Sequence, residues 1–515
     1  MLATAMSVSL IGLKVTPIRV EVQAHRGIPS FELVGLAEAA VRESRVRVRS
    51  ALAQMGVDLN EYRIVVNLAP ADVKKYGSGF DLAIAAAALA ALGLVDPARL
   101  EGVLFLGELS LAGGVHGVRG VLPKLVGAAK LGATKAVVSK FNEAEAALAS
   151  GVEAYAAETL VDLVHHLRGG EPLPRAQAAA PTRGESTHED LSDVRGQAAA
   201  RRALEICAAG AHNLLMVGPP GAGKTMLARR LPTILPLASP EEALEITAVH
   251  SVAGLLGSRA TLLTTRPFRA PHHTVSEAGL VGGGEYPRPG EGSLAHQGVL
   301  FLDELPEFRR SALESLRQPL EDGVVTVSRA QGRATFPARP LVAAAMNPCP
   351  CGFNGDGSGR CICTGERVRN YRSRLSGPLV DRLDVHVALP AVHVGELRRG
   401  GGESSAAVRA RVEAARDRQA WRAKSGKARA TVNAALSARE VESIVSLCGT
   451  SEMLITTSVA RMGLSARAYG KVLRVARTIA DLSGVDKVEP EHVAEAINLR
   501  LLDRGLPTAI ETHAA

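Results

Sequence analysis

Unbroken apolar runs of four or five residues punctuate the middle of this chain, and each stops at a polar or glycine-rich tip. Asn213–Val217, Val299–Leu302 and Leu341–Ala345 are the clearest. Runs that short suit central parallel strands covered on both faces. The stretch before them reads differently. Val15–Gln23 and Ile64–Leu68 are Val- and Ile-rich strands, Glu38–Met55 is a helix with Val41, Arg45, Val48 and Leu52 spaced along it, and Leu109–Gly120 is broken by glycines. Leu82–Val95 is a 14-residue alanine-rich run, which predicts a buried core helix and is too short to span a membrane.

Beyond the second run, Arg309–Gly323 predicts one helix. Val324–Phe336 then predicts two β arms around Ala330-Gln331-Gly332, a hairpin signal with Arg329 and Arg333 flanking its tip. Val408–Ala430 is helical with a strong basic excess, expected as a solvated face. A long helix begins at Leu464-Ser-Ala-Arg467, with Ala468, Val472, Val475 and Ile479 at helical spacing. Glu489-Pro490-Glu491 opens a last helix, with proline near its first turn and acids at its positive end. Composition breaks divide the chain into 1–168, a Gly/Pro/Ala-rich linker over 169–186, a core over 187–390 and a helical unit over 391–515. A chain of 515 residues is too long for one core.

The tips of the apolar runs carry the chemistry. The first leads into Gly218-Pro219-Pro220-Gly221-Ala222-Gly223-Lys224-Thr225, a G-x-x-x-x-G-K-[ST] pattern between a strand and a helix. Its glycines let backbone N–H groups curl around an anion, and the following helix adds its positive end. These eight residues are expected to cradle ATP, with Lys224 on the β/γ-phosphates and Thr225 on Mg²⁺. The second run delivers Asp303 and Glu304 at its C-terminal end, where ligands bind in open α/β sheets. Asp303 would hold the metal through water and Glu304 would polarise the attacking water. Asn347, closing the third run, would orient that same water. Arg467, in the first turn of a lid helix, would fold over the nucleotide as a second sensor. The combination predicts ATP hydrolysis.

Charge and cysteines refine this picture. A net charge of +8 allows a polyanionic partner, and an aromatic content of 3% favours phosphate contacts over base stacking. Met1–Leu13 is apolar-rich without a basic segment before it, so a cytoplasmic location and no membrane partner are expected. Four of the six cysteines cluster as Cys349-Pro-Cys351 and Cys361-Ile-Cys363. Two readings stand for them, a structural Zn²⁺ site and free thiols, because C-x-C is tighter than the common ligand spacing. His272 and His273 have no carboxylate or cysteine at a supporting spacing, and Arg266–Gly284 is expected to be a loop or hairpin insertion. The basic VRESRVRVRSAL stretch is expected to be a solvated helix face.

GIPSFELVGLAEAAVRESRVRVRSAL, VNLAPADVKKYGSGFDLAIA and GELSLAGGVHGVRG resemble the non-catalytic relative of the Lon protease domain at the front of magnesium-chelatase-like proteins. Lon proteases use a Ser–Lys dyad, in which the lysine activates the serine. Laid over these stretches, the family's motifs put Gly79 at the nucleophile and Leu122 at the lysine, with Ser78 and Lys124 one and two positions away. The implied unit is an inactive scaffold.

FRAPHHTVSEAGLVGGG, PGEGSLAHQGVLFLDELPEF, LESLRQPLE, MNPCPCG, YRSRLSGPLVDRLD and LSARAYGKVLRVARTIADL extend the likeness. Across residues 6–505 the chain resembles the ComM/YifB family of magnesium-chelatase-like AAA+ ATPases. The resemblance implies an α/β fold: a Lon-protease-like (ribosomal S5 domain 2-like) α+β unit, a P-loop parallel sheet with hairpin insertions, and a helical lid. It also implies a homo-hexameric ring moving along DNA, with branch migration in natural transformation as the family role. Within it, Arg329 and Arg333 would touch the DNA backbone. Arg382 would be an arginine finger on the neighbour's γ-phosphate, or else an internal ion pair with Asp381 or Asp384. Gly292 and Gln297 depart from the pattern, which has an apolar residue and Asn there. Two other readings are a chelatase-like motor remodelling a protein partner for Mg²⁺ insertion, and an ATP-dependent protease, which the missing dyad opposes.

Overall fold

The computed structural model describes residues 1–500 except 37, 180–188, 285, 330–331, 393–394, 396–400 and 463–464. The apolar runs form Leu214–Val217, Val299–Leu302 and Leu341–Met346, strands in which every residue is buried. With Phe268–Arg269 and Val385–Ala388 they make a five-stranded parallel sheet. Its spatial order is the Phe268, Val299, Leu341, Leu214 and Val385 strands. Because all five run the same way, the polar tips of three of them emerge along one edge, where α/β sheets bind ligands. The edge strand Phe268–Arg269 falls inside the segment expected to be an insertion, so the projection starts only after it. That projection holds the helix Glu277–Val281 and the antiparallel pair Gly282–Gly283 and Arg288–Pro289. A two-residue strand is too short to register as a polarity pattern.

The N-terminal region builds a seven-stranded mixed sheet. Its order is Ser30–Val34, Tyr62–Ala69, Lys14–Arg26, Leu2–Ile11, Val103–Leu106, Lys135–Ser139 and Glu153–Ala157. The apolar start of the chain is a full strand, antiparallel to Lys14–Arg26 from Leu2↔Gln23 to Ile11↔Lys14. Helix Ala39–Gln54 matches the expected span, and helix Asp81–Ala91 is buried at all eleven positions. Part of the expected linker is docked: the Ala156 amide donates to Pro174 O (2.9 Å), and the Ala176 amide donates to Ala154 O (2.8 Å). Its stretch 180–186, like most of the break after Pro390, lies outside the described residues.

Two elements depart from their predicted form. The helix expected over Arg309–Gly323 is two, Arg310–Ser315 and Arg317–Asp322, separated at Leu316. Pro319 has no N–H for the Ser315 carbonyl, and its ring crowds that position. The basic helix, observed as Ser405–Lys424, does not spread its arginines into solvent. Arg409 donates to Thr233 O (2.9 Å) and Arg416 to Ala208 O (2.7 Å), while Arg411 pairs with Glu205 and Glu403. Arg422 and Arg477 converge on the buried Asp481. These guanidinium groups fasten the helical unit to the core, saturating carbonyls and carboxylates that would otherwise be orphaned.

The expected hairpin arms and the helix after Leu464 are present. Val324–Arg329 pairs with Gly332–Pro337 down to Arg329↔Gly332; Ala330, Gln331 and the Arg329 side chain lie outside the described residues. Helix Ala466–Leu482 is capped by Ser465, whose Oγ accepts from the Ala468 amide (3.2 Å). Among the described residues, no helix is long and apolar enough to cross a membrane.

Candidate nucleotide-binding site

The strand Leu214–Val217 ends at Gly218, and the helix Lys224–Ile234 starts after Gly223, which sits at φ +86°. A side chain there would be strained in the left-handed conformation that turns the amides inward. Lys224 Nζ donates to Gly218 O (2.7 Å), Pro219 O (3.0 Å) and Asn347 Oδ1 (2.9 Å). Burial holds the Lys224 ammonium below its usual pKa, with Asp303 and Glu304 opposing that shift. Thr225 Oγ1 donates to Asp303 Oδ2 at 2.7 Å. Four of the expected groups thus meet across three strand tips. An ammonium resting on carbonyls at the mouth of a ring of amides can exchange them for phosphate oxygens. The Thr225 hydroxyl and Asp303 carboxylate offer oxygen donors of the kind Mg²⁺ takes.

Glu304 follows Asp303 with φ +52° and ψ +46°, a left-handed conformation that is strained for a residue carrying Cβ. Its side chain is about half exposed (54%), so it faces the open site rather than the core. Asn347 is held from both sides: its side chain accepts from Lys224, and its backbone N–H bonds the Tyr371 phenol. Burial pushes that phenol up to about 12, the Asn347 bond opposing it. Gln197 also reaches the loop, donating to Ala222 O (3.2 Å) and Pro390 O (2.8 Å). Neither Tyr371 nor Gln197 stood out in the sequence, because each acts through a backbone group that no side-chain pattern reveals.

The cysteines close a turn directly beyond Asn347. Cys349 Sγ lies 3.3 Å from Cys351 Sγ and 3.8 Å from Cys361 Sγ, Cys351 lies 3.6 Å from Cys361, and all four sulfurs fall within 4.8 Å of one another. A tetrahedron with Zn–S bonds of about 2.3 Å sets its sulfurs about 3.8 Å apart, so the four thiols fit zinc. The same turn packs on the P-loop. A Cβ on Gly352 would come within 2.5 Å of Pro220 Cδ, so only glycine lets the two approach.

Arg382 and Arg467 are elsewhere. Both line a cleft of about 1470 Å³ that also exposes Asn213, Gly298 and Leu341, where three strands begin. The cleft therefore sits a strand length, about 13 Å, from the P-loop edge. Neither Asp381 nor Asp384 pairs with Arg382, which meets Glu321 instead. Asp381 lies 3.8 Å from Arg467, and Asp384 is engaged by Lys471 (3.2 Å) and the Asn213 amide (3.1 Å). Burial lowers the Arg382 pKa, helped by the positive charge of Arg317 and Arg467. Within one chain, Arg467 stands beside Arg382 and does not join Lys224. Arg333 is exposed on its hairpin arm.

In the N-terminal unit, a Cβ on Gly79 would stand 3.6 Å from Lys124 Nζ, whereas Leu122 is wholly buried. The lysine facing the nucleophile position is thus Lys124, two places from where the motifs set it. Burial lowers its amine to about 8, with Glu145 opposing. Gly79 offers no hydroxyl, and the neighbouring Ser78 hydroxyl is taken by Glu108. Gln297 sits at φ +57°, the conformation for which the family's Asn is better suited.

Three family models match consecutive parts of the chain. Residues 20–142 match the subunit ChlI of Mg-chelatase, 190–397 the magnesium chelatase subunit ChlI, and 402–500 its C-terminal part. The competence protein ComM of Haemophilus influenzae is 43% identical over 512 residues, 98% of each chain. An uncharacterized protein, YifB, of Escherichia coli is 43% identical over 96% of each chain. An uncharacterized protein of Mycobacterium tuberculosis is 44% identical over 97% of this chain and 98% of its own.

Proposed function

The chain belongs to the ComM/YifB family of magnesium-chelatase-like proteins, which are AAA+-type ATPases, and on that premise we propose that it is a ring motor that hydrolyses ATP to move along DNA. One observation carries the reading: the groups that hold a nucleotide lie at one edge of the sheet, and the arginines that would split it lie at the other. A subunit built that way completes its site only against a neighbour, which favours a closed ring, taken as a hexamer from the family.

In this mechanism the P-loop amides and Lys224 bind and orient the triphosphate. Thr225 and Asp303 would hold Mg²⁺, which would supply neutralisation of the triphosphate charge. Glu304 takes up the attacking water and draws on its proton, and Asn347 fixes that water's direction. Arg382 and Arg467 of the adjacent subunit reach the γ-phosphate as charge builds. The four cysteines would hold zinc as a brace for the Asn347 turn against Pro220. Arg333, with Arg329, contacts the phosphate backbone of DNA in the ring's pore, and the competence link of the Haemophilus relative points to branch migration. The N-terminal unit is a scaffold without protease activity.

ATP turnover is expected to rise with single-stranded DNA, and a three-stranded junction is expected to migrate with wild type but not with Lys224→Ala. Turnover indifferent to DNA, with no junction moved, would instead support remodelling of a protein partner in the manner of a chelatase motor.

A further inference from the structure

A glycine in a tight turn between two strands ordinarily faces water, yet Gly12 is buried. It joins Leu2–Ile11 to Lys14–Arg26 in the N-terminal sheet, with φ +65°. What covers it lies more than three hundred residues further along the chain. A Cβ on Gly12 would stand 2.6 Å from Thr335 O and 3.1 Å from Thr335 N, so two backbones meet there with no side chain between them. Thr335 belongs to the hairpin arm Gly332–Pro337, two residues from Arg333.

The turn is itself tied to the core. A Cβ on Gly120 would come within 2.6 Å of Leu10 Cδ2 and 3.6 Å of Val252 Cγ2. The Gly120 amide donates to Ser251 O (3.3 Å), and the Ser251 hydroxyl donates to the buried Glu145. Glu145 also accepts from the Leu122 amide (2.8 Å) and from Asn142 Nδ2 (3.2 Å). Helix Val121–Lys130 thereby lies against helix Pro240–Ala253, and Leu244 packs on the cluster that holds Val121 and Leu125. Leu10 is thus fastened to the core, and Gly12, two residues on, presses on the hairpin. A second contact reaches the neighbouring projection, where Tyr76 meets Tyr286 edge-on at 5.8 Å. Gly282 of that projection lies against the other hairpin arm, where Val327 Cγ2 would be 3.5 Å from its Cβ.

A ribbon of two strands is marginally stable by itself. The cluster at the base of this one is small, made of Val325, Val327 and Ala338 with Val281 against them. Its position therefore depends on what it leans against. We propose that the N-terminal unit is a rest for the hairpin, setting its position through the Gly12 turn so that Arg329 and Arg333 meet the polymer. This rests on the motor reading above for what the hairpin touches, and not for the contact itself.

The test compares Gly12→Ala with Gly56→Ala in the full-length protein. Both glycines have positive φ, +65° and +79°, so both variants carry the strain of a left-handed alanine, but a Cβ on Gly56 meets nothing within 4 Å. Only Gly12→Ala pushes on Thr335. Hydrogen exchange of the Val324–Arg329 and Gly332–Pro337 amides reads the hairpin directly, with thermal melts confirming the fold. Gly12→Ala is expected to speed that exchange about tenfold, and Gly56→Ala to leave it within about twofold. Basal ATP turnover should stay within about twofold in both, while stimulation by single-stranded DNA and migration of a three-stranded junction fall about threefold or more in Gly12→Ala alone. Equal exchange in the two variants, or faster exchange with stimulation and migration unchanged, overturns the proposal. If Gly12→Ala does not fold, Leu10→Ala decides in its place: exchange faster by about threefold supports the rest, and unchanged exchange overturns it. Should wild type ignore DNA and move no junction, the DNA reading falls, while hairpin exchange still decides whether the N-terminal unit holds the hairpin.

Discussion

The two edges of the parallel sheet make opposite use of polar side chains. At the P-loop edge, Lys224, Thr225, Asp303 and Asn347 satisfy one another within a single chain, so the site is assembled before any ligand arrives. At the other edge, Arg382 and Arg467 rest on Glu321 and Asp381 beside a wide cleft. The first arrangement is preorganised; the second is a holding position whose ion pairs must be exchanged before the arginines can work. On the proposed reading, the nucleotide is bound by one surface and the last charge on its γ-phosphate is met by another, contributed by a neighbouring subunit.

Breaking the P-loop edge should cost most. Lys224→Ala is expected to lower ATP turnover by about 10³ or more and to weaken nucleotide binding, measured by steady-state kinetics and a fluorescent-nucleotide titration. Arg382→Ala should lose turnover by about 10²–10³ while binding nucleotide within about twofold of wild type. Mixing these two inactive proteins sharpens the comparison. A Lys224→Ala subunit still brings Arg382 to the intact P-loop of an Arg382→Ala neighbour, so turnover should partly return. No recovery on mixing would place both functions within one subunit.

A smaller effect is expected at the cysteines beside the P-loop. Purified protein should carry about one zinc per chain by elemental analysis, and Cys361→Ser should abolish it. Loss of the metal should destabilise the fold by about 2 kcal/mol or more, seen as a lowered melting temperature. Zinc-free wild type of unchanged stability would remove the brace. At the opposite edge, burial and the nearby Arg500 and Lys471 lower the His386 pKa to about 3. The folded state keeps that imidazole neutral, while the unfolded chain protonates it near 6.5. The stability it contributes is complete above about pH 6.5 and is lost as pH falls towards 3. Between pH 7 and pH 5 the loss should be about 2 kcal/mol, and His386→Leu should flatten it in pH-dependent melts.

Much of the P-loop edge was legible because its signals are local. An apolar run followed at once by GPPGAGKT or by Asp-Glu states both a strand and what stands at its end. The break at Leu316 was equally readable from Pro319, although Arg309–Gly323 was expected as one helix. What could not be read were pairings set by tertiary contact. His273 Nδ1 lies 3.2 Å from Glu304 Oε2, at the tip of another strand, and Gln197 and Tyr371 act on backbone groups. The arginines of Ser405–Lys424 looked solvated because their acceptors, Thr233 O, Ala208 O and Glu205, lie some two hundred residues away in sequence. Lys124 was set two places off because the motif counted positions along the chain, whereas the helix Val121–Lys130 decides which side chain faces Gly79.

Those inward-facing arginines have an electrical consequence. A guanidinium paired with a carboxylate, as Arg411 and Arg422 are, adds to the count of basic residues but little to the field a polyanion meets outside. The isoelectric point therefore overstates how strongly the helical unit would draw a polyanion. If the chain binds DNA as proposed, titrating salt against affinity should count far fewer displaced counterions per subunit than a tally of basic residues would suggest.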